Sequence, residues 1–253
     1  MSGLKLAALY GFFPHKLGFC GPQRRVNSSK DSLQENSSVA QIYNFLCGKK
    51  VSQKKIREIL EKFKGAFSYY RLIARTNRIK SPFNEKVVEA YWIGNRLLEK
   101  VKTQDLKRMI ITEFSGKDLL NKKEAEVKSK IVIPGFKPHH SFHVLVMGSV
   151  SGRIVLTKKL VDFCRIGWGR VETIDQRKNK IKVKYQPLIF SKKFYLGKLK
   201  EKDLIWDRNI LPEINLGNQV SCHWNHVIEV LTQREVENLR KYTQETLDIF
   251  NQL

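Results

Sequence analysis

Hydrophobic positions along the chain change their period once. From about Ser37 they recur at helical spacing. Ile42, Phe45 and Leu46 share one face. Ser52 stands as an N-cap before Ile56, Ile59, Leu60 and Phe63, and the pattern resumes after Gly65 through Phe67 to Ala74. Pro82 and Asn84 open a further helix carrying Val87, Val88, Tyr91, Ile93, Leu97, Leu98 and Val101, and another spans about 104–114. Residues 37–130 are therefore expected to form an all-α bundle.

Pro134, Gly135 and Pro138 break the pattern, and the runs that follow are short and apolar or alternating. Strands are expected at about 143–148, 153–157, 158–163, 170–175, 180–185, 188–190, 194–196, 204–206, 220–223 and 227–231, with a turn at 176–179. Strands at this spacing suggest a small closed barrel. Thr232 and Glu235 then form a capping box for a last helix, with Val236, Leu239, Tyr242, Leu247 and Phe250 as its apolar stripe. The fold class read from the pattern is α+β: an N-terminal helical domain, then a small OB-like β-barrel with a C-terminal helix. The expected division is 1–36, 37–130 and 131–253.

The first 36 residues fit neither period. Residues 1–23 mix Gly11, Pro14, Gly18, Gly21 and Pro22 with Leu6, Leu9, Tyr10, Phe12, Phe13 and Phe19. They read as an ordered loop, too apolar for a solvated tail and so docked on the rest. Residues 24–38 are rich in Ser, Asn and charge and read as a flexible connector.

Composition sets the outer bounds. The chain has 253 residues, 42% apolar, which supports a packed core and excludes wholesale disorder. No stretch approaches the roughly 20 apolar residues of a membrane span. Lys and Arg number 47 against 24 Asp and Glu, a net charge of +23, which attracts nucleic acid or an acidic protein face. Four cysteines at irregular spacing do not make a disulfide framework and point to reduced thiols in a cytoplasmic protein. Phe19 before Cys20 is too large for a lipoprotein cleavage box. A P-loop, a dinucleotide-binding glycine fingerprint and a CxxC pair are all missing from the sequence, and 148–152 carries Val150 where a nucleophile elbow needs serine.

The candidate chemistry lies in cysteine and histidine. Cys164 ends an apolar run just before Gly167-Trp168-Gly169, and His223 follows Cys222 on an expected strand. Neighbours on a strand face opposite sides, so Cys222 and His223 do not serve one site together. A thiolate from Cys164 with an imidazole from His223 suits a soft or borderline metal such as iron. The loop histidines His139, His140 and His143 form a second candidate ligand group, with His15 and Cys20 expected nearby. No paired carboxylates or triad pattern supports catalysis, which favours a protein that is not an enzyme.

These residues also carry a resemblance. Cys164-Arg-Ile-Gly-Trp-Gly-Arg-Val171 resembles the opening motif of the HypC/HupF-type hydrogenase maturation chaperones. Residues 172–185 fit that family's first hairpin. Leu216 to His223 and His223 to Leu231 resemble its histidine strand and the segment after it, and 232–250 its closing helix. The resemblance covers about 161–250. It implies an OB-like barrel in which Cys164 and His223 carry an iron centre and in which the cysteine meets a protein partner, a metalloenzyme subunit or an assembly scaffold. Cys164 is internal here, whereas the family's cysteine follows the initiator Met, and Trp168 replaces its proline. The whole chain is also similar to an uncharacterised bacterial and archaeal family with a Leu-Gly-x-Cys-Gly-Pro box, here Leu17 to Pro22, and a His-His-Ser-Phe-His block, here His139 to His143.

A second class of function rests on the basic run 176–200. It places Arg177, Lys178, Lys180, Lys182, Lys184, Lys192 and Lys193 among Tyr185, Phe190, Phe194 and Tyr195, with no acid. Basic strands with exposed aromatics bind single-stranded nucleic acid by stacking. The alternation of aromatic and basic residues equally describes a solvated hairpin whose rings face the core.

Overall fold

The computed structural model describes residues 1–22, 37–116, 119–148 and 155–253. Of the connector expected at 24–38, residues 24–36 lie outside these, and Ser37 and Ser38 instead open a helix. The helical layer comprises α1 (Gly3–Lys16), α2 (Ser38–Leu46), α3 (Gln53–Leu60), α4 (Lys64–Thr76), α5 (Glu85–Trp92), a 3-10 turn at Arg96–Lys100, α6 (Thr103–Glu113) and α7 (Lys122–Ile131). Ser37, Ser52, Asn84 and Asn121 cap α2, α3, α5 and α7 through side-chain oxygens that accept backbone N–H groups.

The N-terminal segment is a helix rather than the expected loop. Ser2 caps it, and α1 is apolar on nearly all sides, so it sits in the middle of the protein against α2, α3, α5, β6 and β7. Pro14 lies near its C-terminal end, and Gly3 lets its first turn approach the Phe83 carbonyl more closely than a Cβ would permit. Burial on every side outweighs the helix-breaking composition. The expectation that the segment docks on the strands holds through its contacts with β6 and β7.

The region expected to open the barrel is mostly helical. His140–Phe142 form α8, continued by a π-helical turn at His143–Met147, and α9 spans Lys158–Cys164. Short apolar runs do not separate buried helix from strand, and here burial in the shared core settles them as helix. Of the expected strand at 153–157, the first two residues lie outside those described, and 155–157 carry no regular structure.

The strands are β1 (Gly167–Asp175), β2 (Lys180–Tyr185), β3 (Leu188–Phe190), β4 (Phe194–Leu196), β5 (Lys200–Ile205), β6 (Gln219–His223) and β7 (His226–Leu231), with α10 (Gln233–Phe250) after them. Thr232 and Glu235 make the expected capping box. β3 and β4 form a separate two-stranded sheet. The other five strands run β2–β1–β6–β7 by antiparallel pairing, with β5 antiparallel on the far side of β2. This sheet curls until β5 and β7 meet at one parallel pair, Ile205 opposite His226. The expected closed barrel is thus a five-stranded curled sheet with a one-pair seam, because β5 leaves the sheet at Trp206, where β7 is only beginning.

Val171, Ile181, Val183, Leu204, Val220, Cys222 and Val227 fill the sheet's concave side. Its other side joins the helices: the largest core cluster contains α1 to α7 side chains together with Ile166, Trp168, Ile228 and Leu231, and with Val236, Leu239 and Tyr242 of α10. This core runs across the boundary expected near residue 130. No helix among the described residues is long and apolar enough to cross a membrane.

Candidate metal centre

Cys164 is the last residue of α9, a helix capped by Thr157. Its position is fixed by its neighbours. Arg165 Nε donates to Asp162 Oδ1 at 3.0 Å, and a second guanidinium nitrogen donates to the Gln186 carbonyl. Asp162 also accepts the Leu188 N–H at 2.7 Å and the Tyr185 hydroxyl at 3.2 Å. The buried Arg165–Asp162 pair therefore ties the end of α9 to β2 and β3. Gly167 allows the chain to enter β1 directly beneath Cys222, whose sulfur would lie 2.8 Å from a Cβ there.

His223 ends β6. Trp224 and Asn225 follow with φ of 50° and 62°, the conformation of a two-residue hairpin turn, and β7 begins at His226. Strand alternation sends Cys222 into the sheet interior and His223 to the helical side, as the sequence predicts. His140 arrives from α8. Ligand atoms of His140, Cys164 and His223 all lie within 4.8 Å of one another, and all three residues are buried. A small contraction brings such a set to metal–ligand bonds of about 2.0–2.3 Å.

The hydrogen bonds identify which nitrogens remain for a ligand. His223 Nδ1 lies 3.0 Å from the Tyr10 carbonyl of α1, which only accepts, so the ring carries its proton there. Nε2 then bears the lone pair, and among the described residues this buried atom has no hydrogen-bond partner. Burial pulls the His223 pKa down to about 4, so the ring is neutral and competent as a ligand. His140 Nδ1 lies 3.1 Å from the Tyr91 hydroxyl and Nε2 lies 2.9 Å from the Cys164 carbonyl. Tyr91 donates its own proton to the Gly65 carbonyl at 2.7 Å. The Cys164 carbonyl only accepts, so in the metal-free chain His140 donates to it from Nε2. Binding a metal through Nε2 requires the tautomer with the proton on Nδ1, which the Tyr91 hydroxyl can accept because its own proton is committed to Gly65. Burial drives the His140 pKa well below its ordinary value. Burial also raises the Cys164 thiol well above its ordinary value, so metal binding must displace a proton from sulfur.

Trp92 packs beside both imidazoles, with ring centroids 4.5 Å from His140 and 5.8 Å from His223, and the two imidazoles lie 5.3 Å from each other. The cluster borders a cavity of about 90 Å³ walled largely by aromatic and apolar side chains, among them Phe63, Tyr91, Trp92 and Trp224. Exposed Lys62, Lys64 and Cys20 also line it.

The structure joins Cys164 and His223, as expected, and adds His140. Cys164 and His223 are both buried, 7% and 2% accessible, because α9 packs against the π-helical turn and β3 while β6 and β7 pack against α1. One expectation needs correction: the three loop histidines do not converge on one point. His139 Nδ1 accepts the Ser141 N–H, and the ring packs beside Tyr242. His143 lines the cavity but bonds Tyr69 at 3.2 Å. His15 spans Ser38 Oγ and the Cys20 carbonyl, so it braces the turn after α1. Tyr10, Tyr91 and Gly65 carry no sequence signal for this site, since two read as core aromatics and Tyr10 acts through its carbonyl.

In the basic run, Arg177, Lys178, Lys180, Lys184, Lys192 and Lys193 are exposed, and Lys182 is half-buried beside Glu201 at 3.0 Å. Tyr185 and Phe194 are buried, and the ammonium of Lys158 lies 3.6 Å over the Phe190 ring. Tyr195 presents an exposed ring.

A family of unknown function, DUF6390, matches residues 1–253. No curated protein and no solved structure matches the chain.

Proposed function

The chain belongs to the DUF6390 family over its whole length, and from that premise we propose that it is a metal-handling protein: it holds one iron ion through His140, Cys164 and His223 and acts as an accessory in assembling a metallocentre. The observation that carries this reading is His223 Nε2. It is a buried lone pair, its tautomer held by a backbone carbonyl, facing a thiol and a second imidazole. An unsatisfied buried group of this kind costs roughly 1–3 kcal/mol, and a metal ion removes the cost. A ligating histidine commonly donates its other N–H to a carbonyl or similar group, which is the arrangement of His223 with Tyr10.

Two imidazoles and a thiolate suit iron, zinc or copper. The resemblance to the HypC/HupF-type chaperones favours iron, and their OB-like fold is supported by a five-stranded sheet that curls to a seam. Three protein ligands leave a coordination position toward the cavity, and its aromatic wall suits keeping a reactive ion dry. The strongly basic surface suits a partner with an acidic face, a metalloenzyme subunit or scaffold. The binding of single-stranded nucleic acid has weaker support, since most aromatics of the basic run are packed or covered.

Anaerobic purification followed by metal analysis tests the reading. One iron per chain is expected in the wild type and in Cys47→Ser, with none in Cys164→Ser or His223→Ala. Cys164→Ser also places a hydroxyl in the core and should lower the melting point of the apoprotein by an amount equivalent to roughly 1–3 kcal/mol. Equal metal content in all four proteins would refute the centre.

A further inference from the structure

Cys20 lines the same cavity as the three ligands, yet it is exposed and is not part of their compact cluster. The turn that carries it, Leu17 to Pro22, is fastened on both sides. Phe19 stacks on Trp224 at 4.1 Å, and Trp224 follows His223 in the chain. Gly21, at φ 89°, lies so close to His15 and the Phe63 ring that a Cβ would come within 2.6 Å and 2.8 Å of them. His15 also holds the Cys20 carbonyl at 3.0 Å. Cys20 is thus placed at the cavity mouth by packing. Cys20, Cys164 and Tyr91 all line this one cavity. A second, independent feature points to a ligand there: the buried and unpartnered Nε2 of His223, on the wall of that cavity.

We propose that Cys20 is the loading ligand of this centre, an accessible thiolate that captures a borderline divalent metal ion at the cavity mouth and passes it inward to His223 and Cys164. The inference rests on the metal reading above and adds the route by which the buried site is filled. In the first step the Cys20 thiol loses its proton to solvent and its sulfur replaces a water on the ion. In the second, His223 Nε2 and then Cys164 sulfur bond to the ion as the bond to Cys20 sulfur breaks, and the Cys164 proton returns to Cys20. The sum is one ion bound and one proton released, with no change of oxidation state. Exposure of Cys20 and burial of Cys164 divide the two roles, because an exposed thiol exchanges ligands with solvent and a buried one does not.

The test uses the full-length apoprotein and Co(II) alone as probe, followed by rapid-mixing absorbance of its thiolate charge-transfer band. Cys20→Ser should reach the same final band and stoichiometry as the wild type but load roughly tenfold more slowly or worse, because the alcohol is a poor ligand for the ion. Cys164→Ser should lose the final band. Iodoacetamide labelling of Cys20, read by peptide mass mapping, should proceed equally before and after loading. Wild-type loading kinetics in Cys20→Ser would overturn the loading role while leaving the centre intact. A diminished final band in that variant, or protection of Cys20 after loading, would overturn it in favour of a permanent fourth ligand. Failure of the wild type to bind Co(II) would overturn the centre and the route together.

Discussion

Tyr91 and Tyr10 show how single residues set the chemistry of a site without belonging to its ligand set. Tyr91 can accept the His140 Nδ1–H in the tautomer that bares Nε2 for a metal, because its own proton goes to Gly65. Tyr91→Phe keeps the ring in its aromatic cluster and removes that relay, so metal affinity should fall by about 10–100-fold with the fold retained; competition with a chelator of known affinity would measure it, and unchanged affinity would exclude the relay. Tyr10 holds His223 with its carbonyl and donates its hydroxyl to Glu229 at 2.6 Å. Burial, with Glu235 and Glu89 adding their charge, raises the Glu229 pKa to about 7 from an ordinary 4.5, against the opposing effects of the Tyr10 hydrogen bond and the Met1 ammonium. A raised carboxyl binds its proton more tightly in the folded chain. Stability from this group is therefore complete below about pH 4.5 and declines as pH rises through 7, by roughly 3 kcal/mol in all. Urea unfolding at pH 5 and pH 8 should show this extra loss in the wild type and not in Glu229→Gln; parallel slopes would contradict it.

At the scale of elements, the site depends on how helices end. The helical pattern of 82–101 reads as one element, but α5 stops at Trp92 and a 3-10 turn begins at Arg96. Gly94 between them has φ 97°, and a Cβ there would stand 2.1 Å from the Tyr242 ring of α10. The break lets α10 close over the helical layer and leaves Tyr91 and Trp92 at the end of α5, beside His140. Gly94→Ala should cost about 3 kcal/mol or more, because both the backbone conformation and the ring contact oppose a side chain. A thermal melt close to the wild type's would show that α10 can shift to accommodate it.

For the whole molecule, the continuity of the core is the governing fact. Side chains of α1 pack with other helices and with the outer side of the sheet, so the regions before and after residue 130 share one interior. Denaturation of the metal-free protein should therefore be a single transition, with tryptophan fluorescence reporting Trp92 and Trp168 in the shared core and far-ultraviolet dichroism giving coincident curves. Separate midpoints would show that the two regions unfold independently despite their shared packing. Binding of the proposed ion should raise the midpoint, by about 2.7 kcal/mol of stability at a hundredfold excess over Kd, and a chelator should reverse the gain.

The sequence by itself determined the helices from α2 to α6, most of the strands from β1 to β7 and the capped α10, because each has its own period, cap or turn residues. It also determined that Cys222 and His223 part to opposite sides of a strand. Tertiary structure decided the rest. Helix α1 and the helical turns from His140 to Met147 have compositions that favour loop or strand, and burial on all sides makes them helical. Sequence reasoning paired Cys164 with His223 but left His140 in a separate histidine group, because nothing local to residues 139–143 shows which ring turns toward the end of α9. The tautomer that bares His223 Nε2 is set by a carbonyl 213 positions away, on a helix whose position follows from packing alone. Convergence of side chains from distant elements is a property of the packed core, and no local pattern encodes it.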